Sequence, residues 1–429
     1  VNLPSSAAFQ LLSFVSQAEQ DAQMLRSQSS RLRQEVNQLQ QQLYQDIQEI
    51  KQIDPSFSLI QQVEPISFEQ IQALLCDRTA LLEWYLLDDY FLVLIIVGHQ
   101  SEVKVWTSTP EDLQSLKTWV VKYLQAYVQP SRQDWKESLE PLLNELTQML
   151  HIKEILAYLP SHCDQLVMIP HRFLHLLPLH ALPLVDHTYL LDRFSAGVRY
   201  APSCQLLQLT QDFHRPSFSH LIGIQNPTND LSFSDLEMDC IRSMFQPHET
   251  ILPKAEATKT AFSTQDLQST HCVHFACHGV FDFDTPLRSA LVLAGTSVEE
   301  IDLEQCLTLG EIFDLNLQQC RLVTLSACET GLTDIRSLGD EYVGLTSGFL
   351  YAGSPNIVSS LWTVNDISTA FLMIRFYQNL FEGEFVAVAL NKAQKWLRDV
   401  SGPELDDWMI GLESIKYLWI YPKCNLHKE

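Results

Sequence analysis

Two stretches of this 429-residue chain have the residue types and the layout of a nucleophile and its proton carrier. Arg321-Leu322-Val323-Thr324-Leu325-Ser326-Ala327-Cys328-Glu329-Thr330-Gly331 reads as a short apolar strand that stops on a cysteine. Upstream, Val273-His274-Phe275-Ala276-Cys277-His278-Gly279 repeats the design and stops on His278. A side chain at the carboxyl end of a buried strand sits on the rim of the sheet, where open α/β proteins place their sites. A thiolate there is a nucleophile, and an imidazole within reach can take and return its proton. The glycine after each motif lets backbone come close to a substrate carbonyl. The plain alternative for Cys328 is a buried free cysteine, the commoner fate of that residue.

Neighbouring candidates sort by strand alternation. His274 falls on the same face as Ala276 and His278 but inside the strand, so we assign it to packing. Cys277 points to the opposite face and is expected in the core. His171, His175 and His180 lie four and five residues apart, without a carboxylate or thiol at ligand spacing, and are read as structural. No metal is expected there or from His271, Cys272, Cys277 and His278. A site for a basic side chain needs a carboxylate near the nucleophile. Asp366, Asp282, Asp284, Glu329, Asp340 and Glu341 are the candidates, each with the alternative of a solvated loop acid or helix cap. No phosphate loop, dinucleotide fingerprint or Gly-x-Ser-x-Gly elbow occurs, so no cofactor is expected and a serine hydrolase lacks support.

Strands and helices must alternate to hold these motifs. Strands are expected at Ala80–Leu87, Tyr90–Val97, Val103–Thr107 and Gln165–Pro170, with helices over 110–157. In the second half strands are expected at Ser219–Ile224, Glu249–Pro253, His271–Ala276 and Asn356–Ser360. Helices are expected at Asp235–Phe245, Ile367–Phe381 and Phe385–Val400. This alternation predicts a mostly parallel, doubly wound sheet over about 215–425. Residues 5–53 read as one amphipathic helix, with Leu25, Leu32, Val36, Leu39, Leu43, Ile47 and Ile50 on its apolar face.

The net charge of −24 argues against nucleic acid and anionic membranes as partners and leaves room for basic ones. No apolar window reaches membrane-spanning length. Ten cysteines without paired spacing, in a chain this long, suggest a reducing, cytoplasmic setting. The chain starts on Val1, and we expect a piece of a longer or processed protein.

Four segments together resemble the CHAT family, caspase-like clan CD cysteine peptidases found beside tetratricopeptide repeats. They are Leu166–Pro183, Val273–Gly279, Leu322–Gly331 and Gly339–Asp366. The 50 residues between His278 and Cys328 match caspase spacing, although two residues, Glu329 and Thr330, precede Gly331. Separases are similar in the same regions. The resemblance implies a caspase-like α/β fold in three parts: a helical arm over 1–55 leading to missing repeats, a pseudo-caspase subdomain over 70–213 and an active subdomain over 214–425. It implies His278 and Cys328 as the catalytic pair, the amides of Gly279 and Cys328 as the oxyanion hole, and Asp366 as the acid that meets a basic residue before the cut. In separases an Asp stands where this chain has Thr363. The activity implied is a cysteine endopeptidase acting on protein or peptide substrates with a basic segment. A regulatory protein or domain is expected on the N-terminal helical region. The alternative is a catalytically silent caspase-like scaffold regulated through that region.

Overall fold

The computed structural model describes Gln42 and residues 66–100, 102–127, 132–185, 187–212, 215, 218–282, 284–298, 300–327, 330–331, 343–362 and 364–420. The helical arm expected over 1–55 therefore lies outside the described residues, Gln42 apart.

The first half is built on a hairpin. β1 (Thr79–Leu86) and β2 (Phe91–Val97) pair antiparallel, and the turn between them closes with the Leu87 amide donating to the Tyr90 carbonyl at 2.8 Å. Their β-branched and aromatic side chains suit a pleated, buried surface. β3 (Lys104–Thr107), β4 (Gln165–Ile169) and β5 (Val198–Tyr200) complete a sheet ordered β3-β2-β1-β4-β5, with β4 and β5 parallel to β1. The helix Pro110–Tyr127 covers it with a face of Leu113, Leu116, Trp119, Val120, Tyr123 and Leu124. Thr109 and Asp112 cap that helix reciprocally, each side chain bonded to the other's amide. The prolines after β4 leave only two short 3-10 turns, Arg172–Leu176 and Leu179–Ala181. His171 works structurally there: its Nδ1 accepts from the Leu86 amide at 3.1 Å and its ring stacks on Tyr85.

The second half carries an all-parallel sheet of β6 (Leu221–Gln225), β7 (Glu249–Pro253), β8 (Cys272–Ala276), β12 (Leu322–Ser326) and β13 (Ile357–Val358) in the order β13-β12-β8-β6-β7. β6, β8 and β12 are buried along their whole length, as parallel strands covered on both faces must be. One face packs Ile224, Phe275 and Leu325 against Phe262, Ile312 and Phe349. The other packs Leu221, Cys272 and Leu322 against Ile241, Phe376 and Tyr377. The mixed α/β architecture with parallel strands between helices is the expected one. Two details differ. The expected strand does not run to the histidine: after Ala276, His278–Val280 forms its own strand, β9, in a small antiparallel sheet with β10 (Ala290–Val292) and β11 (Leu307–Thr308). Sequence periodicity cannot see this change of partner, because both segments look extended. The chain also adds a helix at Gly402–Ile420.

The halves meet through side chains from β5, its neighbours and the helix Val386–Asp399. Asn391 Nδ2 donates to the Leu191 carbonyl at 2.9 Å, and Arg398 forks onto Asp192 at 2.7 and 3.1 Å. Gly197 (φ +98°) sits against this helix, where a Cβ would stand 2.7 Å from the Ala387 carbonyl oxygen. Gly197→Ala should therefore cost about 1–3 kcal/mol in urea unfolding, from both the left-handed backbone and the clash. Burial holds the imidazoles of His175 and His180 down to about 4, so unfolding on the acid side lets them bind protons they cannot hold when folded. Stability should fall as pH drops from about 6.5 towards 4 and level off below; a Tm that is flat across that window would show that neither ring is kept neutral by the fold.

Candidate active site at a sheet switch point

From β6 the chain crosses to β7 on one side, then returns to place β8 on the other side of β6. That reversal opens a crevice at the carboxyl ends of β6 and β8, the place where doubly wound sheets hold ligands. Register brings three strand ends level: Ala276 pairs with Gln225 on one side and Ser326 on the other. His278 and Cys328 each follow two residues after the β8–β12 pair of Ala276 and Ser326. Cys328 and Glu329 themselves lie outside the described residues, as do Asp340 and Glu341.

His278 is accessible, with 20% of its side chain exposed, and its Nε2 stands 3.0 Å from both carboxylate oxygens of Asp230. Asp230 ends the loop that leaves β6, and its side chain is 53% exposed. Partial burial raises its pKa, but hydrogen bonds from Thr228 and His278 outweigh that and hold the carboxyl below its usual range. The tautomer that donates from Nε2 to Asp230 presents Nδ1 as an acceptor, the form a general base requires. Sequence reading missed Asp230. It lies 48 residues before His278 in a loop without periodicity, and only the β6–β8 register reveals its place.

The segment on either side of Cys328 is tied down. Ser360 Oγ and Thr330 Oγ1 both donate to the Ala327 carbonyl, the Gly331 amide donates to the Ser360 carbonyl at 2.8 Å, and the Ser360 amide reaches Thr330 Oγ1 at 3.4 Å. Gly331 is required for this approach, since a Cβ would lie 3.0 Å from Ser359 Oγ and Ser360 O. The strand end after β13 thus clamps the cysteine-bearing turn.

The acids proposed from sequence lie in varied surroundings. Asp366 opens the helix Asp366–Phe381, and its Oδ2 accepts the Phe233 amide at 2.8 Å, at the start of the helix Ser232–Phe245 that follows the Asp230 loop. Asp282 Oδ1 accepts the amides of Asp284 and Thr285 at 2.9 Å and so holds its own turn. Asp284 is exposed. Gly279 pairs with Leu291 in the small sheet. Cys277 is buried in the core, as strand alternation implies.

His274 is fully buried beneath the site. Its Nδ1 stands 3.2 Å from Tyr377 Oη, and its Nε2 lies 2.9 Å from Glu237 Oε1, close but without hydrogen-bond alignment. Ser326 Oγ donates to Glu237 Oε2 at 3.1 Å, and Tyr377 Oη also meets Thr324 Oγ1 at 2.9 Å and Cys272 Sγ at 3.3 Å. This network joins β8 and β12 to the helices Ser232–Phe245 and Asp366–Phe381. No group of three or more His, Cys, Asp or Glu side chains among the described residues is placed to hold a metal ion. No helix among them is long and apolar enough to cross a membrane. Glu237→Ala, which strands His274 and Ser326 in the core, should cost about 3–5 kcal/mol in chemical denaturation. Glu237→Gln, which keeps an acceptor for Ser326, should cost less; equal losses would place the effect in packing alone.

Among solved structures the chain is similar to separase from the separase–securin complex of Saccharomyces cerevisiae, at 13% identity and TM-score 0.49, over 82% of this chain and 30% of that one. It is also similar to the Arg-specific cysteine proteinase gingipain R, at 11% identity and TM-score 0.39, over 65% of this chain and 66% of that one. The complex of the pro- and mature domains of RgpB, from Porphyromonas gingivalis, gives 11% identity and TM-score 0.40, over 65% of this chain and 67% of that one. The chain spans under a third of the separase chain. No curated protein matches it. The CHAT domain matches residues 140–417, well over half of the sequence, and the chain belongs to the CHAT-domain family.

Proposed function

We propose that the chain is a cysteine endopeptidase that cuts protein substrates after a basic residue. The observation that carries this reading is the parallel register of β8 and β12, in which His278 and Cys328 follow the same residue pair at the same offset. Cys328 gives its proton to His278 Nδ1 and attacks the scissile carbonyl. The amides of Gly279 and Cys328 receive the oxyanion, each donor being worth about 10²–10³ in rate. The imidazolium returns its proton to the leaving amine as the thioester forms, and His278 then draws a proton from water for hydrolysis. Asp230 steadies the ring through Nε2.

Basic specificity rests on the acids at the crevice. Asp230 is the exposed carboxylate beside the imidazole, and Asp366 stands against the helix that follows its loop. A Lys or Arg side chain entering there meets negative charge on a chain of net charge −24. Control by a protein or domain at the N-terminal helical region, in the cytoplasm, completes the proposal.

Cys328→Ala should abolish cleavage of basic-residue peptides and leave thermal unfolding unchanged. A peptidyl electrophile ending in Arg should label Cys328, and His278→Ala should slow labelling by about 10²-fold or more; labelling that ignores both the peptide and His278 would favour a silent scaffold. Asp230→Asn should lower both turnover and selection for Arg or Lys, whereas Asp366→Asn should lower selection alone. Selectivity unmoved by either change would shift the pocket to Glu329, Asp282 or Asp284.

A further inference from the structure

At the junction of the two halves lies a cavity of about 260 Å³, separate from the His278–Asp230 crevice. Arg199 of β5, Gly331, Ser359, and Val386 and Leu390 of the helix Val386–Asp399 are among the residues that line it. The remaining wall mixes aliphatic side chains such as Leu206 and Leu350 with neutral polar ones, His180, Asn391 and Gln394 among them. Arg199 is the one Lys, Arg, Asp or Glu among the described residues that line it. Arg199 is half-buried, its Nε is buried with no hydrogen-bond partner, and no ion pair or hydrogen bond reaches its guanidinium from any described residue. A cation drawn partly out of water without a partner is costly, and an incoming anion would relieve that cost.

We propose that this cavity binds a small organic carboxylate with an apolar body, its two oxygens paired with the Arg199 guanidinium. The planar fork of arginine matches a carboxylate with two parallel hydrogen bonds. One cation balances one negative charge, the aliphatic part of the wall suits a hydrocarbon or ring, and a single cation leaves a multiply charged phosphate underpaired. The volume is below the range of drug-sized sites, so the ligand is small. The occupant packs against Gly331, whose amide bonds to the Ser360 carbonyl, and against Ser359 next to it. Binding therefore stabilises the clamped arrangement of the cysteine-bearing turn. This goes beyond the peptidase proposal and does not need it, because binding is read without substrate.

The test is calorimetric titration of the whole chain with 3-phenylpropionate, its neutral counterpart 3-phenylpropan-1-ol, and inorganic phosphate. One-to-one binding of the carboxylate is expected, with the alcohol and phosphate at least about tenfold weaker. Arg199→Gln should weaken carboxylate binding by about tenfold or more. Arg199→Met should do the same and melt at or above the parent, since no native partner is lost. Leu390→Trp, which fills the cavity and spares Arg199, should also remove binding. At ten times the dissociation constant, exchange of the Gly331 amide should slow by about tenfold through mass action on the bound state. The proposal is overturned by no saturable carboxylate binding below about 10 mM, by binding unchanged in the Arg199 variants, or by equal affinity for the alcohol or for phosphate. Unchanged Gly331 exchange at saturation would overturn the coupling to the cysteine turn.

Discussion

The parallel pairing of Cys272–Ala276 with Leu322–Ser326 is the constraint that the rest of the second half serves. A parallel pair cannot be closed by a tight turn, so the chain must cross over a face of the sheet between the two strands. Everything between β8 and β12 is that crossover, and the small antiparallel sheet of β9, β10 and β11 is built within it. The register then decides chemistry. A slip of one residue would turn His274 and Thr324 out of the polar network and bring Phe275 and Leu325 into it. The network is thus a register mark: Glu237 accepts from Ser326, and Tyr377 meets His274 and Thr324, in the register that sets Ser326 opposite Ala276. Buried polar groups that must be met in one arrangement favour that arrangement over its neighbours.

The same network links the strands to the two helices that shape the crevice. Glu237 sits on the helix that continues from the Asp230 loop, and Tyr377 sits on the helix that Asp366 opens. Asp366 in turn receives the Phe233 amide, so the starts of the two helices are bound to each other. The acids at the rim and the polar groups beneath it lie on the same pair of helices. On the far side of the cysteine strand, Ser360 fastens Ala327, Thr330 and Gly331, the described residues on either side of Cys328. The turn is held from below by the register and from the side by the β13 strand end.

Much of this was legible because it depends on local pattern. Glu249–Pro253 and the strand end at Ala276 agree with the expectation to the residue, whereas the cysteine strand stops at Ser326, two residues before Cys328. Alternation alone separated buried His274 and Cys277 by face. What could not be read depends on partners. Asp230 is one acid among many in the sequence, and only strand order puts its loop beside His278. The separate strand His278–Val280 has the same extended character as the strand before it and differs in what it bonds to. Glu237 lies on an amphipathic helix beside Asp235 and Asp239, with nothing in its spacing to mark it as the acid that turns inward. Arg199 looks like any strand-edge cation until the second half closes over it.

The account rests on His278 and Cys328 meeting across the β8–β12 register, and side-chain proximity can be trapped without any assay of turnover. His278→Cys, tested for disulfide formation with Cys328 under mild oxidation and mapped by mass spectrometry, measures it directly, because only Cα atoms about 4.4–6.8 Å apart can be bridged without backbone movement. The account predicts rapid, near-complete pairing of the introduced thiol with Cys328 in the folded chain. Failure to pair under conditions that leave the fold intact, with the new thiol accessible to alkylation, would contradict it.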